Sequence, residues 1–155
     1  MTSDSRDLCA AIVHRRDCGR VTCAIENRIF VAPPSSDLDT VNTFVVAHGF
    51  KALGQRWIEI GARAAEKVAI AILSNDLAYN AQIMLSDDAE LLAKRFMAMF
   101  CDSVRCFTNG THVPQDARAT KVSLGWMPIS STAFDAGIVC IDDARVGMLW
   151  VEDED

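Results

Sequence analysis

Apolar positions along the chain recur with two periods, and the change of period divides the sequence into strands, then helices, then strands. Leu8 to His14 is short, apolar and β-friendly. From Arg20 to Val31, Val21, Cys23 and Ile25 alternate before Glu26-Asn27, and Ile29, Phe30 and Val31 follow, which predicts a hairpin turning at Glu26-Asn27-Arg28. Pro33-Pro34 ends this strand region. Ser36, with Asp39 three residues on, reads as the N-cap of a helix carrying Leu38, Val41, Val45 and His48 on one face and Phe44 beside them. A second helical pattern runs from Gln55 through Trp57, Ile60, Ala64, Val68 and Ile72, although Val68 to Leu73 also fits a buried strand. Ser86-Asp87-Asp88 opens a third helix with Leu91, Leu92, Phe96 and Met99 as its apolar face. Trp57, Val68, Leu91 and Phe96 are the expected helical core.

Beyond Cys101 the runs are short and β-rich: Val104–Phe107, Lys121–Met127, Gly137–Ile141 and Val146–Val151, with Asp142-Asp143-Ala144-Arg145 as the loop of a terminal hairpin. The order predicts an α+β fold, with a largely antiparallel sheet from the N- and C-terminal strands and about three helices in the middle. Its 155 residues fit a single domain, 1–155, with 1–6 and 152–155 expected to fray. Half of the residues are hydrophobic, enough to fold without staples.

The start, Met1 to Asp7, is polar and has no apolar signal core. The longest aliphatic run, Val68–Leu73, is far short of the ~20 residues that span a bilayer. A cytoplasmic protein with no membrane partner is expected. Cys9, Cys23 and Cys140 sit in apolar runs, where free cysteine behaves as a small hydrophobe, so all six thiols are expected to be reduced.

Much familiar chemistry is missing from the sequence. It has no glycine-rich phosphate loop, no His-Glu-x-x-His and no Gly-x-Ser-x-Gly. Cys18/Cys23 and Cys101/Cys106, with His14 nearby, have spacings a zinc site can use but lack the usual Cys-x-x-Cys form, and no metal or cofactor is expected. Cys101 or Cys106 with His112 as base is a nucleophile pairing that the residue types allow, and Thr43, His48 and Arg56 would matter only within one cleft. No catalytic residue is assigned. A small enzyme with a dispersed Cys/His or carboxylate site stays open as an alternative, as does a regulatory or interaction module, including a homodimer.

The charge is uneven. Of 21 acids, Asp135, Asp142, Asp143, Glu152, Asp153, Glu154 and Asp155 lie in residues 135–155 against Arg145 alone, which accounts for the whole net charge of −6. Such a run repels phosphate backbones, which argues against direct nucleic-acid binding and for a basic protein partner. Trp126 and Trp150 flank the acids and fit either an interface core or the protein's own core. The expected partner-binding residues are Asp135, Asp142, Asp143, Trp150, Glu152, Asp153, Glu154 and Asp155. Gly125-Trp126-Met127-Pro128, Thr132 to Gly137 and Gly147 to Asp155 resemble immunity proteins of bacterial polymorphic toxin and contact-dependent growth inhibition systems. That resemblance covers the last third of the chain. It implies a cytoplasmic, non-catalytic inhibitor of a cognate toxin, with a basic nuclease domain as the partner.

Overall fold

The computed structural model describes residues 2–31, 35–110 and 127–154. Within them the elements run α1 Ser3–Arg15, β1 Arg20–Asn27, α2 Asp37–Ala47, β2 Ile58–Ile60, α3 Ala62–Ser74, α4 Ser86–Met97, β3 Arg105–Thr108, β4 Phe134–Ile141 and β5 Arg145–Asp153. The strands form one antiparallel sheet in the order β1-β5-β4-β3-β2, so the N- and C-terminal strands are neighbours, as an α+β domain of this pattern requires.

Both faces of the sheet are covered. On one side α1, α3 and α4 pack Leu8, Ile12, Ile72, Leu73, Leu92 and Phe96 against Ile25, Ile138, Leu149 and Val151. On the other, α2 and the segment after it pack Val41, Phe44, Val45, Phe50 and Trp57 against Phe107, Val139, Met148 and Trp150. Adjacent residues of β5 therefore enter opposite cores, and the strand reads as a continuous apolar run rather than an alternation. Trp150 is wholly buried, edge-on to Trp57 at 6.0 Å and beside Phe50 at 6.3 Å. Its indole N–H finds no acceptor among the described residues, so packing holds the ring. Gly137 faces it across the ladder, and a Cβ there would meet Leu149 O at 2.2 Å and Trp150 Cε3 at 2.6 Å. The ring fits because position 137 has no side chain.

Several local expectations are corrected. Leu8–His14 is helical: Ser5, Leu8, Cys9 and Ile12 recur at three and four residues, and Thr2 caps the first turn by accepting from Ser5 N–H. The hairpin at Glu26–Arg28 does not form. β1 runs unbroken to Asn27, and Arg28–Phe30 is a single 3-10 turn whose Arg28 N–H donates to Ala144 O at 2.8 Å. The helix expected from Gln55 splits into β2, where Ile58 and Ile60 alternate with exposed Glu59, and α3, which starts after Gly61. Val68–Leu73 is the helical half of that pattern, so its reading as a strand falls. In α4 the buried face is Ala89, Leu92, Ala93 and Phe96, and Leu91 is 57% exposed. At the two ends of the chain, α1 begins at Ser3 and β5 extends through Glu152 and Asp153. Ser36 does cap α2, accepting from Asp39 N–H at 3.2 Å, and the loop between β4 and β5 falls at Asp142–Ala144. Of the strand expected over Lys121–Met127, residues 121–126 lie outside the described ones, and Met127 is in a loop.

Candidate interaction surface

The acids of the last 21 residues do not gather into one patch. β5 runs between them, placing Asp142 and Asp143 at one end of the sheet and Asp135, Glu152, Asp153 and Glu154 at the other. Its length separates the two groups by about 27 Å at roughly 3.4 Å per residue. Asp155 lies outside the described residues.

Three of these acids are buried, against the expectation that they face solvent. Asp153 takes both prongs of the buried Arg16 guanidinium, with Nη1–Oδ1 at 3.0 Å and Nη2–Oδ2 at 2.7 Å, and also accepts from Leu77 N–H. Asp135 accepts from the N–H groups of Ile129 and Ser130 and from the Asn109 amide. Asp142 accepts from the N–H groups of Cys101, Ala144 and Arg145. Desolvation pushes the Asp142 carboxyl upward, but those backbone donors outweigh it and hold its pKa below the ordinary carboxylate value. Trp150 belongs to the core. Glu152 is partly covered and stands 3.8 Å from Arg20, whereas Asp143 and Glu154 face solvent.

Burial changes what these carboxylates can do, but it cancels only one of their charges. Arg16 neutralises Asp153. Asp135 and Asp142 are held by neutral N–H donors, so their negative charge still contributes to the field around the protein. They act at a distance, and contact falls to other residues.

The most exposed large apolar side chains among the described residues are Phe30 at 81% and Ile29 at 73%. Both sit on the 3-10 turn after β1, and Arg28 at its start ties the turn down. Arg28 N–H reaches Ala144 O, and Arg28 Nη1 donates to Asp142 O at 3.1 Å, so the turn is fastened to the loop that carries Asp143. Arg28 Nη2 also meets Asp37 at 2.6 Å, Arg105 joins Asp37 at 2.9 Å and Glu59 at 2.8 Å, and the Arg105 guanidinium lies 5.2 Å over the Phe107 ring. Desolvation opposes ionisation of Asp37, but hydrogen bonds from Arg105 and Arg28 prevail and lower its pKa; Arg105 likewise lowers that of Glu59. Ile29 and Phe30 are thus presented to solvent on a turn that Arg28 bonds to the β4–β5 loop. In the sequence they look like a strand, because a run of apolar residues after a turn implies burial.

The other candidates are scattered. Cys106 pairs with Cys140 at 3.4 Å, Cys101 touches Ser103, and His112 lies outside the described residues. His14 is exposed on α1, and His48 caps α2 with Nε2 3.4 Å from Glu26. Thr43 and Arg56 are exposed. Among the described residues, no group of three or more His, Cys, Asp or Glu is placed to hold a metal ion, and no helix is long and apolar enough to cross a membrane. No protein family, curated protein or solved structure matches the chain.

Proposed function

We propose that this chain is a non-catalytic binding protein that neutralises a basic partner, acting as a cytoplasmic immunity protein against a nuclease-type toxin. The observation that carries the reading is the corner formed by the 3-10 turn and the β4–β5 loop, where Ile29 and Phe30 are held out in solvent on a turn that Arg28 bonds to the loop carrying Asp143. Apolar anchors ringed by polar groups are how protein interfaces concentrate their binding energy. The net charge of −6 adds long-range attraction for a basic surface, with Asp135 and Asp142 contributing from inside the fold. The resemblance of residues 125–128, 132–137 and 147–155 to immunity proteins supplies the toxin half of the proposal.

The test is capture from the source cells on immobilised protein, followed by expression of the captured partner with and without this chain. The proposal expects a basic protein that arrests growth alone and is tolerated when the chain is co-expressed. It also expects an Ile29→Ser/Phe30→Ser variant to stay folded and lose that protection. A folded double variant that protects as well as wild type overturns the assignment of this corner, and a captured partner that does not affect growth overturns the immunity role.

A further inference from the structure

Cys106 and Cys140 are direct partners across the β3–β4 ladder, and the Cys140 thiol donates to Cys106 Sγ at 3.4 Å. Residues directly opposite on antiparallel strands have Cα atoms about 4.5–5.5 Å apart, inside the range a disulfide spans. Closing the sulfurs to the ~2.05 Å bond length needs a shift of about 1.4 Å, with no change of strand register. Both residues are wholly buried on the face covered by α1, α3 and α4.

We infer that Cys106 and Cys140 are a latent disulfide site, closed by thiol–disulfide exchange with a small-molecule disulfide such as oxidised glutathione whenever the sheet forms or opens under oxidising conditions. The stoichiometry is two thiols plus one glutathione disulfide giving the protein disulfide and two glutathione thiols. One cysteine thiolate attacks the glutathione disulfide, forming a mixed disulfide and releasing the first glutathione thiolate. The second cysteine, deprotonated to solvent, displaces the other glutathione, and both leaving thiolates take up protons. Both sulfurs are closed off from solvent, which keeps glutathione from them in the closed fold and confines exchange to opening or folding. The bond pins β3, and through it the edge strand β2, to the middle of the sheet. It also closes the long β3–β4 connection into a loop of about 35 residues, where loop-closure entropy in the unfolded chain is large.

The experiment refolds reduced, urea-unfolded full-length chain in a glutathione redox buffer, with thiols then blocked and the product mapped by mass spectrometry. The expected product is about 2 Da lighter, links the peptides carrying Cys106 and Cys140, and melts about 10 °C higher than the reduced protein. Cys140→Ser should abolish the link, and Cys106→Ala serves the same purpose if that variant does not fold. Six free thiols after refolding, glutathione adducts alone, a bond between any other pair, or a linked product that melts lower would each overturn the inference.

Discussion

Arg16 and Asp153, 137 residues apart in sequence, form a buried two-pronged ion pair in which every guanidinium N–H has an acceptor. Nε donates to Ile72 O at 2.7 Å, and the remaining donors reach Cys18 O and Asn75 O. The pair therefore ties the end of α1, the end of α3 and the last residue of β5 into one knot. Gly19, at φ +65°, lets the chain pass, because a Cβ there would meet Asp153 Oδ1 at 2.0 Å.

Removing only the acid from this knot strands a buried cation. Asp153→Ala is expected to cost about 3–5 kcal/mol in urea unfolding, whereas Arg16→Met with Asp153→Leu costs less than the single change. A loss within about 0.5 kcal/mol for Asp153→Ala, the usual surface value, would place Asp153 in a solvated tail instead.

Neighbouring leucines of α4 should respond oppositely. Leu92 is buried, and Leu92→Ala should cost about 2–5 kcal/mol. Leu91→Ala should stay within about 0.5 kcal/mol, since its side chain is largely in water already. Equal losses in paired denaturation curves would contradict the assigned helix face.

Asp142 makes stability depend on acid. Its folded pKa lies below the unfolded value of about 3.9, so its contribution is complete above that value and is lost as pH falls through it toward the folded pKa. The stability gap between wild type and Asp142→Asn should be constant from about pH 5.5 to 7 and shrink below about pH 4. A gap that does not change between pH 6 and pH 2.5 would contradict the role given to the backbone donors.

Local signals in this sequence were legible, and those that depend on distant residues were not. Ser36 announces α2 because the cap and the Asp39 N–H that donates to it are three residues apart. The β4–β5 loop is equally local, and Asp142 accepting from Ala144 and Arg145 is a turn habit of aspartate that its position already suggests. Asp153 is another matter: its partner lies at the far end of the chain, and a terminal acid run otherwise implies solvent. Trp150 could be placed in either core or interface until its packing with Trp57 and Phe50 was known. Ile58 and Ile60 fit a helical pattern in the sequence because Trp57, Ile60 and Ala64 happen to fall three and four residues apart. Ile29 and Phe30 are legible as apolar but not as exposed, because exposure depends on what distant residues place beside them.

The central claim is that the chain binds a basic partner by charge-steered approach and apolar anchoring, and stopped-flow association with the captured partner at low and physiological salt tests it most directly. Screening over about 8–10 Å at physiological salt should lower the association rate at least tenfold from its value near 10 mM. An association rate unchanged across that range would contradict the account.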